Sequence, residues 1–120
     1  MRIGLFGGTF DPIHNGHVNL AEQFLRKMKL DEVWFLVTPQ NPWKQNNLLS
    51  DDALRLEMVT LALEGHAKLV ASDYEFHLEK PSYTYKTLRH LREDFPENEF
   101  VLLIGAVLEN MMGFMELLPY

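Results

Sequence analysis

The sequence GGTFDPIHNGH occupies residues 7–17 and directly follows an apolar, strand-like segment, Met1–Phe6. Apolar residues then recur at helical spacing from Val18 onward, which predicts a helix over about residues 16–29. A glycine-rich turn between a strand and a helix lies at the carboxyl end of the strand, where open α/β sheets bind nucleotides. We therefore expect residues 7–17 to form part of a nucleotide-binding site.

Several groups in this stretch are suited to binding phosphate. Gly7 and Gly8 supply unhindered backbone amides, and Thr9 supplies a hydroxyl. His14 and His17 are three residues apart, which places both imidazoles on one side of the first helical turn if the helix begins here. From that position they can donate hydrogen bonds to phosphate oxygens and stabilise charge during phosphoryl or nucleotidyl transfer.

The stretch does not match the two best-known phosphate-binding motifs. Gly4, Gly7 and Gly8 lack the G-x-G-x-x-G spacing of the dinucleotide fingerprint, and no Gly-Lys-Ser/Thr follows as in a Walker A loop. A purely structural alternative is a tight turn capped by one histidine, but two histidines with Gly-Gly-Thr in eleven residues favour a functional site. A zinc site is disfavoured, because Asp11 is the only evident third ligand nearby.

Segments typical of strands and helices alternate along the rest of the chain. Further strands are predicted at Val33–Thr38, Lys68–Ser72 and Phe100–Gly105. Ser50 can cap one helix, and another is predicted over Thr84–Phe95. The apolar stripe expected on the first of these helices consists of Leu54, Met58, Leu61 and Ala62. The alternation predicts an α/β fold, a Rossmann-like parallel sheet with helices on both faces, in a single domain over residues 1–120.

The charges of the chain are unevenly distributed. The 120 residues carry a formal net charge of -6, and residues 93–120 hold six acids and no Lys, Arg or His. An acidic chain without a basic face is a poor nucleic-acid binder, so we expect no nucleic-acid partner. No apolar run approaches the roughly 18 residues that suggest a membrane span, so no membrane partner is expected either. The absence of cysteine fits a cytoplasmic protein.

The opening stretch resembles the signature of the HxGH nucleotidyltransferase superfamily, and in particular that of the bacterial nicotinate-mononucleotide adenylyltransferases. Further segments, in order along the chain, strengthen the resemblance. The loop PQNPWK at residues 39–44 is similar to the family loop that brings a lysine to the phosphates, and RLEM at 55–58 resembles its Arg-x-x-Met helix. PSYT at 81–84 resembles the segment that faces the nicotinate carboxylate, and residues 100–106 resemble the strand ending in Ile-Gly-Ala-Asp.

The resemblance implies a nicotinate-nucleotide adenylyltransferase, which transfers AMP from ATP to nicotinate mononucleotide. ATP is then a co-substrate accompanied by Mg²⁺, with no metal ligand implied from the protein. The implied catalytic residues are His14, His17 and Lys44. The implied ATP-binding residues are Gly7, Gly8, Thr9, Phe10 and Gly105. The implied residues for the mononucleotide are Ser82, Tyr83 and Thr84.

The resemblance covers residues 1–106 and ends where Val107 stands in place of the family's Asp. Residues 107–120 lack the family's aromatic pair, and its later Ser/Thr-rich turn with an arginine is missing. We therefore expect a divergent tail on a C-terminally truncated domain, and favour a truncated or shifted reading frame over a natively short protein. Two alternatives to the active enzyme follow: a catalytically impaired nucleotide-binding fragment, or a nucleotidyltransferase with another phosphorylated acceptor.

The divergent tail carries two structural expectations. An apolar helical face is expected from Leu108, Met111, Met112, Met115 and Leu118. The sheet edge left by the truncation is expected to be exposed, which is an aggregation or oligomerisation risk. A homo-oligomer is therefore left open by the sequence.

Overall fold

The computed structural model describes residues 1–8, 10, 12–39, 51–78, 84–103 and 117–119. In chain order the elements are β1 (Arg2–Gly8), α1 (Asn15–Lys27), β2 (Glu32–Val37), α2 (Asp52–Ala62), β3 (Leu69–Ser72), a 3₁₀ helix (Tyr74–His77), α3 (Thr84–Asp94), β4 (Glu99–Leu103) and β5 (Leu117–Pro119). The 3₁₀ helix and β5 were not predicted from the sequence. None of the helices in the described part of the chain is long and apolar enough to cross a membrane.

The described strands form one sheet in the order β3-β2-β1-β4-β5. The first four strands in this order are parallel, and β5 runs antiparallel to β4. Because β2 and β3 extend the sheet on one side of β1 and β4 extends it on the other, the strand order reverses at β1. In open α/β sheets, ligands bind in the crevice at the carboxyl ends of the strands at this point of reversal. The predicted α/β, Rossmann-like fold is confirmed.

Helices cover both faces of the sheet, as predicted. Side chains alternate between the faces along β1, so that Ile3 and Leu5 point to one face and Phe6 to the other. Helices α1 and α2 pack over the Phe6 face, where the buried residues include Val18, Ala21, Phe24, Phe35, Val59 and Val101. Helix α3 packs over the opposite face, where the buried residues include Leu88, Leu91 and Phe100. The start of α3 therefore lies on the other side of the sheet from α1.

The apolar stripe predicted for α2 is wrong. Leu54 is 48% exposed and Leu61 is 57% exposed, whereas Arg55 and Val59 are fully buried. Arg55 can turn inward because its guanidinium donates to the backbone carbonyl of Thr38, at 2.7 Å, and bonds to a neighbouring carboxylate. A buried cation with such partners avoids most of the cost of leaving water.

The start of α2 also differs from the prediction. Asp51 is the N-cap, and its side chain accepts a hydrogen bond from the backbone amide of Ala53 at 2.9 Å. Ser50, the predicted cap, lies outside the described residues. Asp and Ser are about equally good caps, so propensity alone does not choose between adjacent candidates.

The tail shows a strand where a helical face was expected. Leu117–Pro119 pairs antiparallel with Val101–Leu103, so Leu118 belongs to β5 and the edge of β4 is paired at these residues. Among the described strands, the sheet therefore ends at β5 rather than at β4. An unpaired strand edge offers backbone donors and acceptors, which a short antiparallel strand satisfies. The other predicted members of the helical face, Leu108, Met111, Met112 and Met115, lie outside the described residues.

Candidate nucleotide-binding site

The two glycines of the opening stretch lie at the end of β1 rather than in the turn that follows it. Gly7 and Gly8 pair with Leu36 and Val37 of β2, and the carbonyl of Gly8 accepts a hydrogen bond from the backbone amide of Thr38 at 2.9 Å. The two glycines are therefore the last residues of a strand that the sequence analysis ended at Phe6. Pairing with β2 continues the strand two residues beyond the apolar run, because the ladder satisfies backbone groups that a loop would leave to solvent.

The two glycines differ in the space that they leave. A Cβ atom added at Gly7 would meet no described atom within 4 Å, so this position is open at the end of the sheet. A Cβ atom at Gly8 would lie 3.4 Å from the ring of Phe10. Gly7 alternates with Ile3 and Leu5, so its open side lies on the face covered by α3. Gly7 therefore leaves room for a ligand, and Gly8 leaves room for a neighbouring ring.

Phe10 turns the chain sharply and sends its side chain into the core. Its φ of 48° lies in the left-handed region, which is uncommon for a residue other than glycine. The side chain is only 3% exposed, and its ring packs edge-on against Phe6 and His17 at centroid distances of 5.6 and 5.2 Å. The predicted role of Phe10 in lining phosphates can therefore involve only its backbone, because its ring packs against His17.

His14 and His17 form a reciprocal cap at the start of α1. The Nδ1 atom of His14 accepts a hydrogen bond from the backbone amide of Gly16 at 3.1 Å. The backbone amide of His14 in turn donates to Nδ1 of His17 at 3.1 Å. In most such capping boxes a Ser or Thr and a Glu or Gln play these parts. Two imidazoles here satisfy two of the helix's otherwise unpaired amides.

The cap determines which ring nitrogen carries hydrogen. Because Nδ1 accepts a hydrogen bond in both rings, the neutral form of each histidine carries its hydrogen on Nε2. The two ring centroids are 3.9 Å apart, so these two donors belong to one small site. The geometry brings together the two histidines that the sequence predicted, and directs the Nε2 atom of each away from the cap.

The close packing of the His14 ring explains why residue 16, between the two histidines, is a glycine. A Cβ atom at this position would lie 2.9 Å from Cε1 of His14 and 3.0 Å from its Nδ1, which is closer than atoms pack. A side chain here would push the His14 ring out of its capping position. The spacing His-x-Gly-His is therefore a packing requirement of the cap.

The start of α1 is electrostatically suited to an anion. The first turn contains no acidic residue, whereas Arg26 and Lys27 lie in the last turn. The backbone dipoles of a helix leave partial positive charge at its first turn, and an acidic side chain there would compete with a bound phosphate. The histidine cap thus lies at a helix start that favours negative charge.

A second group of polar residues, at the carboxyl end of β2, was missed by the sequence analysis. We call it the Glu75 cluster, and it consists of Thr38, Arg55, Glu75 and Thr87. One carboxylate oxygen of Glu75 accepts from the hydroxyl of Thr38 at 3.3 Å, and the other accepts from the hydroxyl of Thr87 at 2.7 Å. Arg55 joins the cluster through the backbone carbonyl of Thr38.

Burial raises the pKa of the Glu75 carboxyl above its ordinary value, and the hydrogen bonds from Thr87 and Thr38 oppose part of that rise. A single Glu in a stretch of mixed polar residues is normally a surface residue, so the sequence carried no signal for its burial. Arg55 did fall within the family-like segment at residues 55–58, and Thr87 follows the one at residues 81–84, but these were separate motifs. Nothing in their spacing indicated that one carboxylate connects them.

Several predicted site residues lie outside the described residues. These are Thr9, Lys44, Ser82, Tyr83 and Gly105. Thr84 is the first residue of α3, without a described side chain. Within the described part of the chain, no group of three or more His, Cys, Asp or Glu side chains is arranged to hold a metal ion.

Comparison with known proteins places the chain in a family. The cytidylyltransferase-like family matches residues 5–116, so the chain belongs to this family. A relative from Bacteroides fragilis, named "Probable nicotinate-nucleotide adenylyltransferase", is 50% identical over 113 residues, which are 94% of this chain and 55% of that relative. A relative of the same name from Bacillus licheniformis is 45% identical over 105 residues, which are 88% of this chain and 56% of that relative.

A solved structure supports the fold. The Plasmodium falciparum nicotinic acid mononucleotide adenylyltransferase complexed with NaAD matches with a TM-score of 0.74 and 23% identity, covering 96% of this chain and 57% of that one. At this identity the match supports the fold alone. The chain spans about half the length of the curated relatives that it matches.

Proposed function

We propose that this chain belongs to a nicotinate-nucleotide adenylyltransferase, which transfers AMP from ATP to nicotinate mononucleotide and gives nicotinate adenine dinucleotide and pyrophosphate. The observation that carries the proposal is the paired histidine cap at the switch point of the sheet, in a chain about half identical to relatives of that name. The histidine donors and the helix start favour negatively charged groups such as phosphate.

The resemblance implies how the reaction proceeds. A phosphate oxygen of the mononucleotide attacks the α-phosphorus of ATP, and the bond from that phosphorus to the oxygen bridging to the β-phosphate breaks. Pyrophosphate leaves with the electron pair of the broken bond, so no protein nucleophile and no proton transfer are required. His14 and His17 donate from Nε2 to phosphate oxygens and stabilise the negative charge that builds up in the transition state.

The remaining assignments rest on the resemblance. Lys44 holds phosphate charge, and the backbone at Gly7, Gly8, Thr9, Phe10 and Gly105 lines the ATP site. Ser82, Tyr83 and Thr84 meet the pyridine carboxylate. Mg²⁺ would accompany ATP and offset the negative charge of its phosphates, and this would require no cage of protein ligands. We also propose a cytoplasmic location, and one domain over residues 1–120.

The experiment that tests the proposal is an assay of the purified chain with ATP, Mg²⁺ and nicotinate mononucleotide, with the dinucleotide and pyrophosphate as products. We expect product formation, and a rate about 10²- to 10³-fold lower for His17→Ala, since one transition-state donor is removed. His77→Ala is the matched control, because His77 is exposed on the 3₁₀ helix. An unchanged rate for His17→Ala contradicts the mechanism.

The same assay, together with calorimetric titration of ATP, separates the two alternatives. ATP binding by calorimetry without any turnover favours a catalytically impaired nucleotide-binding fragment. Turnover with a different phosphorylated acceptor, and none with nicotinate mononucleotide, favours a related nucleotidyltransferase. Either result replaces the proposed activity.

A further inference from the structure

Glu75 is one of three buried polar or charged residues among the described ones, and all three belong to the same cluster. Arg55 is fully buried, Thr87 is 2% exposed and Glu75 is 8% exposed. Burying a carboxylate is costly unless its oxygens are hydrogen-bonded. Both oxygens of Glu75 are bonded, and each bonds to a different element of the fold. This arrangement points to a connection between those elements.

The first oxygen connects Glu75 to the end of the central strands. Thr38, which directly follows β2, uses all three of its polar groups: its amide donates to the carbonyl of Gly8, its carbonyl accepts from Arg55, and its hydroxyl donates to Glu75. Through this single residue the Glu75 carboxylate is joined to the last residue of β1. That residue lies beside the open space at Gly7.

The second oxygen connects Glu75 to the first turn of α3. Thr87 is the fourth residue of that helix, and its hydroxyl donates to Glu75 at 2.7 Å. Because α3 leads into β4, which is parallel to β1, the helix begins at the carboxyl edge of the sheet. Leu88 and Leu91 hold α3 on the sheet by apolar contacts, which are non-directional and leave its start less constrained. A hydrogen bond to a carboxylate adds direction.

We propose that Glu75 is a positioning residue for nicotinate mononucleotide: it holds the first turn of α3, which begins at Thr84, against the ends of β1 and β2. This inference rests on the proposed function, in which residues 82–84 meet the pyridine carboxylate. A buried carboxylate on the 3₁₀ helix thus aligns one wall of the acceptor site with the other. Glu75 itself does not contact the substrate.

A positioning role and a merely structural role differ in the ligand that they affect. The ATP phosphates are assigned to the histidine cap at α1, on the opposite face of the sheet from α3. Loss of the Glu75–Thr87 bond should therefore weaken binding of the mononucleotide and leave binding of ATP almost unchanged. A general loss of structure would weaken both ligands together and would lower the melting temperature in proportion.

The test is calorimetric titration of the full chain with nicotinate mononucleotide and, separately, with ATP. Thr87→Val removes the hydroxyl at nearly constant volume, and Thr87→Ser keeps it. We expect Thr87→Val to weaken mononucleotide binding about tenfold and ATP binding by less than about twofold, with Thr87→Ser close to the unmodified chain. Thr60→Val is the matched control, since the hydroxyl of Thr60 is exposed and bonds only within α2.

Each outcome decides something different. Failure of the unmodified chain to bind either ligand contradicts the proposed function and, with it, this inference. Binding of both ligands by the unmodified chain, with equal mononucleotide affinity in Thr87→Val, contradicts the inference alone. Equal loss of both affinities in Thr87→Val indicates a structural role and also overturns it. If Thr87→Val does not fold, the same two affinities are measured for Glu75→Gln. Glu97→Gln is then the control, because Glu97 is exposed.

Discussion

The histidine cap and the Glu75 cluster lie at the same edge of the sheet but are built in opposite ways. The cap is local: His14, Gly16 and His17 lie within four residues, and His14 is exposed. The Glu75 cluster joins residues up to 49 positions apart, from Thr38 to Thr87, and its carboxylate is buried. The comparison teaches that a site made by one helix turn can be found by spacing, whereas a site made by tertiary contacts cannot.

The largest effect on stability is expected in the Glu75 cluster. Arg55→Met should lower the free energy of unfolding by about 3–5 kcal/mol, because it leaves the carbonyl of Thr38 and the carboxylate of Asp52 without their buried partner. Arg89→Met, at an exposed position on α3, should change it by less than about 0.5 kcal/mol. Urea unfolding measures both. A loss at Arg55 no larger than that at Arg89 would show that the cluster does not hold the fold.

A smaller effect is expected in the histidine cap. Gly16→Ala places a methyl group against the His14 ring. The ring must then move away, which breaks the hydrogen bond between its Nδ1 atom and the backbone amide of residue 16. The lost cap costs about 1 kcal/mol and the better helix propensity of Ala returns a similar amount, so stability should change little. ATP affinity should fall about fivefold to tenfold, since the Nε2 donor moves with the ring.

Asn19→Ala, at an exposed position on the same helix, is the control for Gly16→Ala. Calorimetry with ATP and a thermal melt compare the two variants. Unchanged ATP affinity in Gly16→Ala would separate the cap from nucleotide binding and would remove the functional half of the comparison.

The pH dependence of stability distinguishes the buried carboxylate from exposed ones. Burial raises the pKa of Glu75 in the folded protein above its ordinary value of 4.5. The folded state then holds the proton of Glu75 more tightly than the unfolded state does. The stability that this proton contributes is fully present at pH values below the ordinary pKa, and it is lost as the pH rises through the pKa of the folded state. The free energy of unfolding, relative to that of Glu75→Gln, should therefore decrease with rising pH in this window.

Glu97→Gln, at an exposed position, is the matched control for Glu75→Gln. The measurement is urea unfolding at several pH values from 4 upward, in which only slopes are compared. A difference between the unmodified chain and Glu75→Gln that is constant or grows with pH would contradict a raised pKa at Glu75.

The smallest effect on stability is expected at Gly7. A methyl group there would meet no described atom within 4 Å, so Gly7→Ala should change the free energy of unfolding by less than about 0.5 kcal/mol. If the open space beside Gly7 receives a ligand, the same methyl group should weaken binding of nicotinate mononucleotide or ATP several-fold. Retention of both affinities would show that no ligand occupies this space.

The sequence predicted those parts of the fold whose signals are local. The apolar strand at Val33 and the start of α3 at Thr84 were placed correctly, because continuous apolar runs and helical periodicity are local signals. The buried face of α2 was predicted wrongly, because periodicity counts apolar residues and Arg55 is buried through partners elsewhere in the chain. Likewise, β5 depends on pairing with β4 and has no signal of its own.

The most direct test of the central claim is nitrogen-15 NMR of the imidazoles of His14 and His17, with and without ATP. The claim is that both rings cap α1 through Nδ1 and present Nε2–H to phosphate. The account predicts that both neutral rings carry hydrogen on Nε2 alone, and that both Nε2 resonances move when ATP is added. A ring with hydrogen on Nδ1, or Nε2 resonances unaffected by bound ATP, would contradict it.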